Sequence, residues 1–514
     1  MSKTIIIIGA GLAGLSAALQ AAENGCNVKL VSSLPSERAQ SVMAEGGINA
    51  ALNTKDENDS PEEHFTDTIK AACGLADPNA VWGMTQAAPE LVHWLLKLGV
   101  KFNMSGYDDV DLRNFGGQKK KRTAFAQSDT GKQIMTAMID AVRRKEASGM
   151  VERFSHHSFL TLRLCGNICC GCVIRDEYSQ ETVELPGDAV IVATGGMHGL
   201  FGNTTGSLSN TGEVTAELFR LGVPLANGEM IQYHPTTVKC GGKRMLISEA
   251  ARGEGGRLFA TKDGKRWYFM EEKYPELGNL MPRDITAREI WKVSHESEVF
   301  LDMTEISEEI ISNKLSGLAD DCMTYLHKDI RKEPVSVLPG IHYFMGGILV
   351  DEQHRTPIQN LCAAGECCAQ YHGANRLGGN SLLGALYGGR VAAKSACEQA
   401  DVVDLSCATQ IDFPPASQIS EIKQLNKVMQ ETMGVVRNEN TLLNGIKTVQ
   451  ALTGNLPLLG MAVLKSALAR KESRGAHWRE DYPKSNDDDY LKTTVARFDG
   501  KQIQISFVPV PERR

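Results

Sequence analysis

The sequence predicts an α/β chain: a domain of buried parallel strands with a βαβ start, interrupted by an α+β insertion and followed by a helical domain. Three strand-to-glycine junctions predict it. Thr4 to Ile8 is a short β-branched run that ends in glycine, the pattern of a buried parallel strand. Two more such runs, Asp188 to Ala193 and Ile358 to Ala364, lead into Thr194-Gly195-Gly196 and Gly365-Glu366. Junctions so far apart in sequence describe one sheet split by inserted chain. The 514 residues leave room for about three structural units.

The other elements follow in order. Leu12 to Glu23 reads as a helix and Asn27 to Val31 as the next strand, which makes a βαβ start. The insertion covers about 236 to 340 and contains a charged, helix-rich segment around Thr304 to Lys328. Leu382 to Gln399 reads as a long closing helix, and residues 418 to 474 as the amphipathic helices of a bundle. Lys484 to Tyr490, with Asp487, Asp488 and Asp489, reads as a solvated turn, and Gln502 to Val508 as a terminal strand.

Composition narrows the class. With 42% hydrophobic and 23% charged residues, the chain is not largely disordered. A net charge of -7 argues against a general nucleic-acid binder. No apolar stretch reaches the length of a membrane span. The opening isoleucine run breaks at Gly9, too early for a signal-peptide core. The expected location is the cytoplasm, with attachment to the inner face of the cell membrane only through partner subunits. An odd count of 13 cysteines argues against a disulfide framework.

Gly9-Ala10-Gly11-Leu12-Ala13-Gly14 is a GxGxxG motif between strand and helix. Gly9 allows the tight turn, Gly11 lets backbone approach a pyrophosphate, and Gly14 lets the helix pack on the sheet. The helix N-terminus offers oriented N–H groups to phosphates. The acidic residue expected at the end of the second strand is replaced by Val31-Ser32-Ser33. Hydroxyls there accept hydrogen bonds, yet this is not the usual NAD signature.

From Gln40 onward the chain resembles the flavoprotein subunits of fumarate reductase and succinate dehydrogenase, a family that includes L-aspartate oxidase. The ordered motifs are SVMAEGG (41–47), RNFGGQKKKRT (113–123), QYHPTT (232–237), SEAARGEGG (248–256), PRD (282–284), HYFMGG (342–347), GEC (365–367), HGANRLGGNSLL (372–383) and ESRGAHWREDYP (472–483). The resemblance implies a Rossmann-like FAD-binding domain, 1–235 and 341–410, interrupted by an α+β capping domain, 236–340. A C-terminal helical domain, 411–480, and a tail, 481–514, follow. It also implies FAD rather than NAD. The glycine loop would hold it with Ser32, Ser33, Ser41, Ala44, Glu45, Gly46 and Gly47. Further contacts would come from Ala193, Thr194, Gly195, Glu213, Glu366, Arg376 and Asn380-Ser381-Leu382-Leu383.

Three departures from the family pattern stand out. Where respiratory members carry a histidine bonded covalently to FAD, this chain has Gln40. An amide is a poor nucleophile, so a non-covalent FAD is expected. The covalent link raises the flavin potential in the family, so its loss tilts the chain toward fumarate reduction. Glu213 follows Thr211-Gly212 where the family has aspartate, and Ser248 stands where it prefers threonine.

The reaction implied is the interconversion of fumarate and succinate by hydride transfer at flavin N5. A four-carbon dianion needs cations or donors at both ends, and arginine matches a carboxylate bidentately. By resemblance Arg376 and His342 grip one carboxylate, and His234 and Ser248 the other. Arg283 matches the proton donor, and Glu249 with Arg252, one helical turn apart, the relay that reprotonates it. Phe115 stands where aspartate oxidases carry a glutamate suited to an ammonium group, which favours fumarate or succinate over aspartate. The competing readings are L-aspartate oxidase and a non-catalytic FAD-binding assembly subunit. No iron–sulfur or haem ligand run is found, so electrons are expected from a partner, an iron–sulfur subunit by resemblance.

Other features carry less. Cys165, Cys169, Cys170 and Cys172 flank Gly166-Asn167, which reads as a hairpin turn. Strand alternation keeps four such thiols from converging, so no metal is expected. Lys119 to Arg122 reads as a solvated charge run, and His477 receives no role.

Overall fold

The computed structural model describes residues 2–106, 109–399, 413 and 419–514. Five parallel strands form the central sheet: β1 (Thr4–Ile8), β2 (Asn27–Ser32), β3 (Val151–Ser155), β4 (Ala189–Val192) and β5 (Leu361–Ala363). Their order is β5-β4-β1-β2-β3. β1 lies in the middle, with Ile5 paired to Ala189 on one side and to Val28 on the other. Ile5 to Ile8 are accordingly buried, which explains the unbroken isoleucine run. β5 begins later than Ile358 because Asn360 turns the chain at φ 62°.

α1 (Leu12–Glu23) crosses from β1 to β2 and is buried over nearly its whole length. Two glycines make its start possible. A Cβ on Gly9, whose φ is 111°, would lie 2.3 Å from the Ala193 carbonyl oxygen, and a Cβ on Gly14 would lie 1.8 Å from that of Gly9. Gly14→Ala is therefore expected to destabilise the fold by about 1–3 kcal/mol, read as a lower urea midpoint.

The inserted chain has its own small sheet, built from Arg257–Lys262, Lys265–Trp267, Val299–Asp302 and Val335–Ser336. Among its helices are α2 (Glu249–Gly253) and α3 (Arg283–Val293). Leu258, Ile290, Leu301 and Leu318 build its core. Phe115, from outside the insertion, is part of that cluster.

α4 (Asn380–Gln399) packs along α1. The approach is close, because a Cβ on Gly389 would lie 2.3 Å from the Ala13 carbonyl oxygen. The helix starts two residues before the predicted Leu382. Three later helices, Ile419–Thr432, Glu439–Val449 and Asn455–Ala469, bury Leu425, Met429, Leu442 and Leu459 against Phe201 and Phe344. The proposed boundary at 410/411 and residue 418 lie outside the described residues. The last segment is a hairpin, Lys492–Phe498 with Ile503–Pro509, paired to Leu225–Ala226 through Ala496 and Val495. Among the described residues no helix is long and apolar enough to cross a membrane.

Two expectations need correction. Arg122 is not part of a solvated run: it is fully buried and paired with Asp59 at 2.9 Å and Asp67 at 3.0 Å. The cysteine hairpin forms, with His157–Cys165 and Ile168–Asp176 on either side of Gly166-Asn167. A bulge at Cys170, beside Gly171 at φ 138°, breaks the alternation. It turns Cys169 and Cys172 into one apolar cluster, while the Cys170 thiol meets the Arg163 carbonyl. Burial pushes the Cys169 thiol up to about 12. Among the described residues no group of three or more His, Cys, Asp or Glu side chains is arranged to hold a metal ion.

Candidate active site

One cavity of about 980 Å³ runs from the start of α1 to the base of the insertion. Gly9, Gly11, Leu12 and Ala13 line its first end, with Ser32 and Ser33 from the end of β2. The N-terminus of α1 has no side-chain cap of its own, so its N–H groups face the groove; the Leu12 N–H meets the Ser41 hydroxyl at 3.3 Å. Ser41, Ala44, Glu45, Gly46 and Gly47 line the next stretch, opposite Ala193, Thr194, Gly195 and Glu366. Glu213, the first residue of its helix, lies on the wall together with Arg175. Ser381 and Leu382 complete the lining at the start of α4.

Three expected cofactor residues do not line the cavity: Gly14, Asn380 and Leu383. Gly14 packs behind the loop. Leu383 is buried in the core beside α1. The Asn380 side chain is taken up by Asn49 at 2.8 Å, His64 at 2.9 Å and Thr68 at 3.0 Å, so it braces the start of α4 from behind. Glu45 Oε2, Arg175 Nε and Arg376 Nε are buried polar atoms of cavity residues with no hydrogen-bond partner. Burial and then the charges of Asp321 and Asp129 push Glu45 up to about 8. A long, polar dinucleotide fits this groove, because it brings partners to such atoms along its length.

At the far end the structure brings together Phe115, His234, Ser248, Glu249, Arg283, His342 and Arg376. Their elements explain the convergence. His234 lies on the strand Ile231–Cys240, which pairs with Leu338–Phe344, the strand of His342. Pro235 cannot donate to a ladder, and the register shifts between His234 and Thr237. Such irregularities re-aim side chains, and the two imidazoles meet edge to face at 5.1 Å. Ser248 is the N-cap of α2 and Glu249 its first residue.

Glu249 is the hub of the charged groups. Its Oε2 accepts from Arg283 Nε at 2.9 Å and Nη2 at 2.6 Å, and its Oε1 from Arg252 Nη2 at 3.2 Å and the Gly116 N–H at 3.2 Å. Burial alone would raise its carboxyl, but the two guanidinium groups hold it below the usual value. Arg252 touches Glu249 from behind and does not line the cavity. Arg376 stacks on the Tyr343 ring at 4.3 Å and has no carboxylate partner among the described residues. Burial and then the charge of Arg283 push it down to about 9. Burial and then Arg283 also hold His234 and His342 well below the normal imidazole range, so both rings are neutral.

Three residues escape the motif reading. Gln232 Oε1 accepts from Arg283 Nη1 at 3.1 Å; its place two residues before His234 on one strand was a usable signal. Tyr343 follows His342 in its motif. Thr205 bonds the His342 ring at 2.8 Å, and nothing in the sequence points to it. Lys119, Lys120 and Lys121 do not line the cavity.

This sheet, with a glycine-opened helix facing a long groove and a buried cluster of arginines at its end, defines a dinucleotide-dependent oxidoreductase. The FAD binding domain family matches residues 4–382, and the fumarate reductase flavoprotein C-terminal family matches 452–513. The succinate dehydrogenase flavoprotein subunit of Bacillus subtilis is 38% identical, covering 100% of this chain and 98% of its own. The 8-methylmenaquinol:fumarate reductase flavoprotein subunit of Wolinella succinogenes is 32% identical, covering 100% and 92%. The solved E. coli quinol fumarate reductase FrdA superposes with a TM-score of 0.90 at 27% identity, over 99% of this chain and 97% of that one. The chain belongs to the fumarate reductase and succinate dehydrogenase flavoprotein family. It is an FAD-dependent oxidoreductase acting on CH–CH groups.

Proposed function

We propose that the protein binds a four-carbon dicarboxylate at the arginine cluster and works chiefly in the direction of fumarate reduction. One observation carries the choice of substrate, the charge of the buried cluster; the direction rests on Gln40 standing where a covalent link to FAD would raise the flavin potential. Of the three guanidinium groups, those of Arg252 and Arg283 pair with Glu249, while Arg376 has no paired carboxylate and senses Glu366 and Glu249 only at longer range; the two histidines are neutral. The excess of positive charge, buried from water, calls for an anionic ligand.

Bound FAD supplies the two-electron chemistry at N5. Arg376 and His342 would hold one carboxylate of the substrate, and His234 and Ser248 the other. Phe115, whose ring presses on Gly46 and Gly378, offers an apolar wall where an ammonium group would stay unpaired, a mismatch that closed sites reject strongly. Arg283 would give its proton to the carbon that becomes carbanionic. Glu249, hydrogen-bonded to both Arg283 and Arg252, would relay a replacement proton from solvent by way of Arg252 to Arg283, and the fixed positive charge lowers the cost of the developing anion.

FAD is held without a covalent bond in this reading. Gln40 lines the cavity, and its side-chain oxygen Oε1 accepts from the Ser207 N–H at 2.6 Å. It leaves no nucleophile where family members carry the linking histidine. Electrons would come from an iron–sulfur subunit, since both quoted relatives are named as flavoprotein subunits. Membrane association would then run through that partner.

Two measurements test the reading. FAD-loaded protein is expected to oxidise reduced viologen with fumarate and to form no peroxide from aspartate; the opposite pair of results would turn it into an aspartate oxidase. Acid precipitation is expected to release the FAD into the supernatant, and a yellow pellet would reject the role given to Gln40.

A further inference from the structure

We propose that the Arg474–His477 turn is a positioning device for the substrate's two arginines, acting through backbone and buried hydrogen bonds. The inference rests on the reading of Arg283 and Arg376 as groups that touch substrate.

The turn closes on itself, with Arg474 and His477 exchanging N–H···O bonds of 2.8 and 3.0 Å. Its first wing reaches the Arg376 loop. The Ala476 N–H donates to the Ala374 carbonyl at 2.9 Å, two residues before Arg376. Gly475 has φ +54°, and a Cβ there would stand 2.6 Å from that same carbonyl oxygen. Only glycine lets the two backbones approach so closely.

The second wing reaches Gln232. Arg437 Nη1 donates to His477 Nδ1 at 2.9 Å and to the Glu229 carbonyl at 2.8 Å. A guanidinium only donates, so Nδ1 is the acceptor and Nε2 carries the proton, placed toward the Arg470 carbonyl at 3.2 Å. Arg470 in turn holds Glu229 Oε1 at 2.7 Å. Glu229 leads into the strand of Gln232. The wings meet where Gln232 Nε2 donates to the Arg376 carbonyl at 2.8 Å while its Oε1 receives Arg283. His477, Arg470 and Glu229 are fully buried, and none of them lines the cavity. The frame therefore acts on ligands only through the residues it holds.

The test uses FAD-loaded protein, malonate as a dicarboxylate probe followed by the flavin spectrum, and turnover with fumarate. His477→Leu removes the acceptor for Arg437 and is expected to raise the malonate dissociation constant about tenfold and to lower kcat, with FAD content unchanged. His477→Asn restores an acceptor at the Nδ1 position and is expected to stay within about twofold of wild type, given that the lost geometry is what costs binding. Gly475→Ala presses on Ala374 from the other wing and is expected to match His477→Leu. Arg376→Ala serves as reference: normal malonate binding there would sink the substrate reading itself. With that reference weakened, the proposal is overturned if no variant of the turn that folds and carries FAD binds malonate more weakly than wild type. It is equally overturned if Asn and Leu at 477 behave alike.

Discussion

Arg283→Ala is expected to lower turnover with fumarate by about 10³–10⁴-fold, the range for losing a general acid that also stabilises charge. Its guanidinium is the group that spans Glu249 and Gln232. Lysine cannot span both, because it offers a single point charge in place of a rigid fork; Arg283→Lys is therefore expected to recover little. Removing one partner of a buried pair also costs stability, about 3–5 kcal/mol where no other charge compensates. Arg252 still faces Glu249 at 3.2 Å, so the loss here should be smaller. Adding Glu249→Gln to Arg283→Ala is expected to lower the melting temperature further, because it leaves Arg252 buried without its carboxylate, and not to restore turnover. Reduced-viologen oxidation and thermal unfolding of the yellow protein check both. Retained turnover in Arg283→Ala would withdraw the proton-donor assignment.

Arg376→Ala is expected to act on binding. Two charge-assisted hydrogen bonds of about 1.5–3 kcal/mol each correspond to a rise of about 10²–10⁴-fold in KM for fumarate. The fold should tolerate this change better than the loss of Arg283, because Arg376 lies on the Tyr343 ring with no carboxylate to orphan. Its burial already disfavours its charge, so an anion brought into contact gains more there than at a solvated arginine. Thermal unfolding within a few degrees of wild type, combined with weak malonate binding, is the expected pair. Normal KM with low kcat would instead move Arg376 out of the ground-state grip.

Much of this was legible in the chain. The β1 run and the GxGxxG loop have local causes: β-branched residues for a strand buried on both faces, and glycines where backbone meets backbone. Both elements came out at Thr4–Ile8 and Leu12–Glu23 as read. The family motifs also located the arginine cluster, since each motif is a short segment whose neighbours in sequence travel together.

What escaped depends on contacts between distant segments. Asn380 sits in a cofactor motif, yet its amide turns toward Asn49 and His64, more than three hundred residues earlier in the chain. Arg122 looks like one charge among lysines until Asp59 and Asp67 close around it. The bulge at Cys170 undoes a strict alternation that any strand reading assumes.

The sequence by itself determined the central strands, the glycine loop that opens the first helix and the set of ionisable side chains, because periodicity, glycine placement and residue type are local properties; the cofactor class came from the family resemblance. Only the tertiary structure decided which of those side chains share one buried space. Burial and proximity arise when residues far apart in the chain are packed together, and they alone turn three arginines and a glutamate into one buried site with an arginine, Arg376, left without a paired carboxylate.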